Sequence, residues 1–162
     1  MENNNCDICE IMPTIPDEYI LDQTELWQVN IAHIDQSPLG RTYIGLKRHA
    51  SELDELTMEE EYDFIRLRNG LIGALRRSFE PITFNTSCLK NDAFKKAPDD
   101  TPAEAAHVHW HVMPRYDSRQ IEVNGEIFTD PCPGRYLNSD RPRHRPTPET
   151  AAKITEIIRS NW

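Results

Sequence analysis

Three histidines alternate with other residues in one short stretch, and this alternation constrains the fold more than any other feature of the chain. The stretch reads His107-Val108-His109-Trp110-His111-Val112-Met113. Side chains two residues apart point to the same side of a β-strand, whereas on a helix they point to different sides. The spacing therefore predicts a strand with three imidazoles on one face and apolar side chains on the other.

Three interpretations of these histidines are open from the residues alone. The strand can be half-exposed and simply rich in histidine. Imidazoles at positions i and i+2 of a strand can also share one zinc ion. Alternatively, one histidine acts as a nucleophile while its neighbours hold the charge of the substrate.

The composition limits the partners that we expect. Asp and Glu number 27 against 18 Lys and Arg, so the 162-residue chain has a formal net charge of −9 at pH 7. Nucleic-acid binding needs clustered positive charge, so we expect no nucleic-acid partner. The chain lacks an apolar run of membrane-spanning length, and its N-terminus does not resemble a secretion signal. We therefore expect a cytoplasmic protein without a membrane partner, folded as one domain over residues 1–162.

Two of the four cysteines, Cys6 and Cys9, form a Cys-x-x-Cys pair. In a reducing compartment such a pair more often binds a metal or is redox-active than forms a structural disulfide. The pair precedes any βαβ pattern, which argues against a thioredoxin-like role, and as half of a zinc site it needs two further ligands. Cys88 is interpreted as a small core residue, whereas no role is assigned to Cys132.

The order of the predicted elements indicates an α+β fold with a mainly antiparallel sheet of about five strands, because no strand–helix–strand alternation recurs. A capping box from Thr57 to Glu60 predicts the start of one long helix, which Pro81 ends. A second helix is predicted to begin at Thr147. Strands are predicted at residues 19–21, 27–34, 42–47 and 82–89 and at the histidine stretch.

The apolar residues of the long helix predict the side that packs on the sheet. The predicted stripe consists of Tyr62, Ile65, Ile72, Leu75 and Phe79, broadened by Phe64, Leu67 and Leu71.

Several motifs, in order along the chain, resemble the histidine triad (HIT) family. The histidine stretch matches the family signature His-φ-His-φ-His-φ-φ, in which φ is apolar. Cys6-Asp7-Ile8-Cys9 resembles the N-terminal Cys-x-x-Cys of the zinc-bearing bacterial branch. Asp35-Gln36-Ser37-Pro38 resembles the Asp-φ-Ser-Pro loop, and Leu46-Lys47-Arg48-His49 resembles the Pro-Lys-x-His segment. The resemblance implies a single HIT domain with a core at about residues 6–116 and a C-terminal extension at 117–162.

This resemblance implies a nucleotide hydrolase that cleaves dinucleoside polyphosphates or nucleoside phosphoramidates at the α-phosphate. His109 corresponds to the nucleophile that forms a nucleotidyl-histidine, and His111 to the histidine that contacts the phosphate oxygens. Asp35 matches an acidic residue that binds the ribose hydroxyls, although it can also be a surface turn residue. Asn91 is expected on the phosphate side of the site. Because HIT proteins are commonly dimers, a homodimer with joined sheets is also implied.

The zinc-bearing branch implies a structural zinc and no organic cofactor. Its ligands correspond here to Cys6, Cys9, His49 and His107, a closed Cys2His2 set. One histidine of the triad then serves the metal, and two remain for chemistry. The alternative is that His107 hydrogen-bonds its neighbours while the N-terminus is disordered.

This chain departs from the family in front of the triad. Most members have Gly-Gln-Ser/Thr there, whereas this chain has Pro102-Ala103-Glu104-Ala105-Ala106 after a longer loop. Asn91 is also further from the triad than usual, and the leaving-group preference cannot be carried over. The arginines between 135 and 145 can bind a polyphosphate leaving group or form a solvated tail.

Two other function classes remain open. The first is a nucleotide-binding sensor or partner-binding protein with little turnover. The second is a nucleotidyl transferase, although that branch usually has His-Pro-His in place of the full triad.

Overall fold

A five-stranded antiparallel sheet lies at the centre of the fold in the computed structural model, which describes residues 6–90, 105–137 and 140–162. The strands run in the spatial order β1-β2-β3-β5-β4, and this confirms the predicted α+β class with its antiparallel sheet. The bounds of these strands are Ile20–Gln23 (β1), Trp27–Ile31 (β2), Thr42–Leu46 (β3), Thr83–Ser87 (β4) and His109–Arg115 (β5).

The described residues also form three α-helices and a small hairpin. The helices are Asp7–Ile11 (α1), Met58–Phe79 (α2) and Pro148–Ser160 (α3). The hairpin strands, Ile121–Val123 (β6) and Glu126–Phe128 (β7), meet at Asn124 and Gly125. Both turn residues have positive φ, 51° and 80°, as a type I′ turn requires. None of the described helices is long and apolar enough to cross a membrane.

Helix α2 begins where the capping box predicts. The Glu60 N–H donates to Thr57 Oγ1 at 3.2 Å, and the Thr57 N–H donates back to Glu60 Oε2 at 2.7 Å. The helix ends at Phe79, because Glu80 turns into the left-handed region with φ of 50° before Pro81.

The buried side of α2 differs in part from the predicted stripe. Phe64, Leu67 and Leu71 are buried against the sheet, whereas Tyr62 is 73% exposed and Ile65 is 45% exposed. At 3.6 residues per turn, Tyr62 lies almost opposite Phe64 around the helix, so both cannot face the sheet. The predicted stripe combined two sides of the helix.

The two faces of the sheet have different roles. Trp110 pairs with Ile44 across β3 and β5 and stacks on Phe64 of α2 at 4.8 Å, so these residues face the core. Tyr43 pairs with His111, and Gly45 with His109, on the opposite side. We call this second side of the sheet the histidine face.

Helix α3 packs next to α2 and β1. Its N-cap is Thr147, whose hydroxyl accepts from the Thr150 N–H at 3.3 Å, as the sequence predicts. Ile154 and Ile158 are fully buried on its inner side.

The Glu60 carboxylate joins the start of α2 to the segment after β3. Its side chain is 3% exposed and accepts hydrogen bonds from Arg48 Nε at 2.6 Å and Arg48 Nη2 at 2.8 Å. The hydrogen bonds from Arg48 hold the pKa of Glu60 at about 2, below its usual value of 4.5.

We expect the variant Glu60→Gln to have a lower free energy of unfolding than the wild type at neutral pH. A carboxyl whose pKa is depressed by folding stabilises the protein above its unfolded-state pKa, and this contribution is lost as pH falls through the folded-state pKa. The difference between the two proteins should therefore shrink as pH falls from 4.5 towards 2. Urea unfolding over this range measures it, with the exposed Glu59→Gln as a control of equal charge change. A difference that is independent of pH would contradict this role of Glu60.

Candidate functional site

A cavity of about 250 Å³ opens on the histidine face, beside His109 and His111. Apolar side chains from residues 6–15, which we call the N-terminal segment, and from the residues just after β2 form its walls, whereas its polar groups come from Asn30, Tyr43 and the histidines. Such a cavity suits a ligand with a flat apolar part and a polar end. The apolar lining residues are Ile8, Ile11, Met12, Ile15, Ala32 and Ile34.

A glycine in β3 makes room for the N-terminal segment on the histidine face. A Cβ atom at Gly45 would lie 3.1 Å from the sulfur of Met12. The Gln28 side chain also donates to the Met12 carbonyl at 3.3 Å. These contacts bring the N-terminal segment close to His109, which pairs with Gly45.

The tautomer of His109 follows from its hydrogen bonds. Its Nδ1–H donates to the His107 carbonyl at 2.8 Å, because a carbonyl only accepts. In the neutral ring, Nε2 therefore carries a lone pair. This atom lies 3.1 Å from His111 Nε2, so the proton in this contact belongs to His111. The arrangement leaves His109 with a nucleophilic nitrogen at the cavity and His111 with a donor next to it.

Side chains from the neighbouring strands border His111. The Tyr43 ring meets the His111 ring edge-on, with centroids 5.0 Å apart. Ser87 is the register partner of His111 on β4. Sequence reasoning did not single out Tyr43 or Ser87, and only the strand register would have identified them.

Four residues that the resemblance assigns to zinc are brought together at one end of the histidine face. The ligand atoms of Cys6, Cys9, His49 and His107 all lie within 4.8 Å of one another. His107 Nδ1 is 3.3 Å from both sulfurs, and His49 Nδ1 is 3.5 Å from Cys9 Sγ. The Cys6 and His107 side chains are buried, with 1% and 2% exposed.

This donor set fits a tetrahedral zinc ion. Zn–S bonds of about 2.3 Å and Zn–N bonds of about 2.0–2.1 Å place sulfur and nitrogen roughly 3.5 Å apart in a tetrahedron. The observed separations of 3.3–3.5 Å agree with this value. The His107 Nε2–H donates to the Leu46 carbonyl at 2.8 Å, so Nδ1 presents its lone pair to the sulfurs.

Burial changes the pKa of two members of the cluster, which bears on how each can act as a metal ligand. Burial lowers the pKa of His107, so its ring is neutral as a ligand must be. Burial, together with the neighbouring Cys6, raises the pKa of the Cys9 thiol to about 11. A cation is then needed to hold Cys9 as a thiolate near neutral pH.

Asp35 is buried rather than exposed in a surface turn, with 4% of its area accessible. Its Oδ2 contacts Arg41 and lies 2.5 Å from Arg141 Nη2, while Oδ1 accepts the Ser37 N–H at 3.1 Å. Asp35 does not line the cavity, and a ribose hydroxyl would have to compete with the two arginines for its carboxylate.

The arginine-rich segment does not behave as one solvated tail. The Arg141 side chain is 6% exposed and is bound to Asp35, whereas Arg135, Arg143 and Arg145 are exposed. Asn91 and residues 102–104, which include Glu104, lie outside the described part of the chain.

Comparisons with known proteins identify the fold. No family model and no curated protein sequence matches the chain. Among solved structures, a Zn-bound histidine triad family protein from Mycobacterium smegmatis matches with a TM-score of 0.59 at 18% identity, over 96% of this chain and 94% of that chain. A uridylyltransferase matches with a TM-score of 0.67 at 22% identity, over 99% of this chain and 47% of that chain.

A third match is the diadenosine triphosphate hydrolase of Plasmodium falciparum, with a TM-score of 0.56 at 15% identity over 90% of this chain and 77% of that chain. Proteins with this fold thus include a nucleotide hydrolase and a nucleotidyl transferase. The chain itself has the histidine triad fold, as its motifs predicted.

Proposed function

We propose that the protein is a nucleotide hydrolase that acts at the α-phosphate of dinucleoside polyphosphates or nucleoside phosphoramidates. The observation that carries this proposal is the hydrogen bond from His109 Nδ1–H to the His107 carbonyl, because it leaves Nε2 as a lone pair at the cavity. A neutral imidazole held in this tautomer is suited to attack phosphorus.

The cavity supports a nucleoside as the bound part of the substrate. Its apolar walls suit a flat base, and Ile8 and Ile11 of α1 contribute to them. A base held there would direct its phosphate to His109 and His111, which line the same cavity. Asn91 is proposed on the phosphate side, as the resemblance implies.

The proposed reaction has two displacements at one phosphorus atom. His109 Nε2 attacks the α-phosphorus, a P–N bond forms, and the leaving group departs with the electron pair of its bond to phosphorus. A polyphosphate leaves as an anion, whereas an amine takes up a proton from solvent as it leaves. Water then attacks, the P–N bond breaks, and a nucleoside monophosphate leaves while the proton of the water passes to solvent. In the structure the His111 Nε2–H donates to His109 Nε2 at 3.1 Å; when the phosphate binds, this proton is donated instead to a phosphate oxygen on which negative charge grows, which releases the lone pair of His109 for attack.

Zinc would be held by Cys6, Cys9, His49 and His107 and have a structural role. Four protein ligands leave no coordination position for a substrate. When bound, the ion supplies a cross-link between the N-terminal segment, the segment after β3 and the residues before β5. Because the His107 carbonyl accepts the hydrogen bond from His109 Nδ1–H, a fixed position of His107 also fixes the orientation of the His109 ring.

We also propose that the chain is a single HIT domain and forms a homodimer with joined sheets. β4 lies at one edge of the sheet, and no strand of the described residues pairs with its outer side, which supports pairing with a second copy there.

Nucleotidyl transfer is the second candidate, and the match to a uridylyltransferase favours it. In that case the nucleotide on His109 passes to a phosphate-bearing acceptor instead of water. The full triad in this chain favours water as the acceptor. Formation of a new dinucleotide product when such an acceptor is added would identify a transferase.

We expect His109→Ala to lower monophosphate release from diadenosine tetraphosphate and from an adenosine phosphoramidate by roughly a thousandfold or more, because the nucleophile is lost. Chromatography of the products measures the rate. His144→Ala is the matched control, because the His144 side chain lies outside the cavity and pairs with Glu126, while its contact with Gln36 is made by the backbone carbonyl, which alanine keeps. Unchanged turnover in a folded His109→Ala protein would remove the covalent mechanism. Tight nucleotide binding without release by the wild type would indicate a sensor.

We expect protein purified without chelator to contain about one zinc ion per chain, and Cys9→Ser to lose most of it. Removing the metal should increase hydrogen exchange in residues 6–15 and weaken nucleoside binding, because Ile8 and Ile11 share a helix with Cys9. The variant Cys88→Ser should retain the zinc, because Cys88 lies outside the cluster. A wild type without any bound metal would contradict the proposed ligand set.

A further inference from the structure

Arg41 lies on the histidine face, one position before β3 begins, outside the lining of the cavity but next to Tyr43, which lines it. Tyr43 pairs with His111, so Arg41 is the diagonal neighbour of His111 on the same side of the sheet. Diagonal neighbours lie about 7–8 Å apart, within reach of a long side chain. The guanidinium carbon of Arg41 is 5.7 Å from the centre of the Tyr43 ring, which itself borders His111.

A surplus of positive charge is buried at this place. Arg41 and Arg141 share the single carboxylate of Asp35, and the three side chains are 13%, 6% and 6% exposed. Burial lowers the pKa of Arg141, and repulsion from Arg41 lowers it further, although Asp35 opposes this effect. Within the described part of the chain, the ion pairs of both buried arginines are with Asp35, so the positive charge of this cluster favours an anionic ligand.

The C-terminal extension holds the carboxylate that orients Arg41. Arg141 Nε donates to the Ser37 carbonyl at 3.0 Å, and the Ser37 hydroxyl donates to the Pro142 carbonyl at 3.1 Å. The Gln36 N–H also donates to the His144 carbonyl at 2.8 Å. Residues 141–144 therefore fix the loop that carries Asp35.

The hydrogen-bonding capacity of Arg41 is only partly used. Its Nη1 is bound to Asp35, while its Nε is buried and makes no hydrogen bond within the described part of the chain. A guanidinium can bind a carboxylate and a phosphate together, because its five N–H groups point in different directions.

We propose that Arg41 binds a phosphate oxygen of the substrate beside His111, and that Asp35 and Arg141 position it. The inference rests on the proposed function, because it needs a nucleotide in the cavity. Arg141 offsets the charge of Asp35, so the charge of Arg41 remains available to the phosphate. Arg41 thus favours nucleotides over nucleosides, and Arg141 acts through it without touching the substrate.

Calorimetric binding of adenosine and AMP, with guanosine and GMP as a second pair, tests this role. We expect the wild type to bind the monophosphate more tightly than the nucleoside. Arg41→Gln should reduce this advantage about tenfold or more, because a charge-assisted hydrogen bond is lost, with nucleoside affinity unchanged. Arg41→Lys should be intermediate, and Arg141→Gln should reduce the advantage less than Arg41→Gln.

Arg66→Gln is the matched control, because Arg66 is an exposed arginine on α2 with 56% of its side chain accessible. A folded Arg41→Gln protein with the wild-type ratio of monophosphate to nucleoside affinity would overturn the inference. If Arg41→Gln does not fold, Arg41→Lys is measured instead, because it keeps a positive charge beside Asp35. A wild-type ratio of monophosphate to nucleoside affinity in Arg41→Lys would then overturn the inference.

The result also separates this inference from the proposed function. A wild type that binds neither nucleosides nor monophosphates overturns both. A wild type that binds AMP through Arg41 but releases no monophosphate from its substrates overturns the hydrolase and supports the phosphate-binding role of Arg41.

Discussion

The hydrogen bond from His109 to the His107 carbonyl is the interaction on which the candidate site depends. It is 2.8 Å long and determines which nitrogen of His109 faces the cavity. His107 can fix this geometry because its own ring is fixed at both nitrogens, by the Leu46 carbonyl on one side and by the cysteine sulfurs on the other. One residue therefore joins the candidate metal site to the candidate nucleophile, through its side chain and its backbone respectively.

The same cluster explains how a short N-terminal segment can form one wall of the cavity. A five-residue helix such as α1 is not stable by itself. It is held through Cys6 and Cys9 at one end and through Met12, which packs over Gly45, at the other. The absence of a side chain at Gly45 permits this close approach beside His109. The cluster of Cys6, Cys9, His49 and His107 thus holds both α1, which lines the cavity, and the backbone that orients His109. The shape of the cavity therefore depends on this cluster.

Local sequence patterns predicted the helices and strands, whereas they did not predict contacts between residues that are distant in the sequence. The alternation around His109 and the capping box at Thr57 each depend on a few consecutive residues, and the structure has both. Sequence motifs also predicted which four residues meet at the candidate metal site, because the resemblance supplied pairings that spacing alone does not. The contact of Asp35 with Arg141 joins residues 106 positions apart, and no local pattern indicates it. The prediction that Tyr62 lies on the packed side of α2 was wrong, because an apolar residue alone does not indicate which side of a helix packs on the sheet.

The covalent intermediate on His109 is the central claim, and its direct detection tests it most sharply. The protein would be mixed with diadenosine tetraphosphate, quenched after a fraction of one turnover in alkaline denaturant, which preserves a P–N bond, and digested for mass spectrometry. We predict a nucleotidyl group on His109 in the peptide that contains residues 107–115, formed and lost at rates compatible with turnover. Monophosphate release without any such adduct, or an adduct on another residue, would contradict the account.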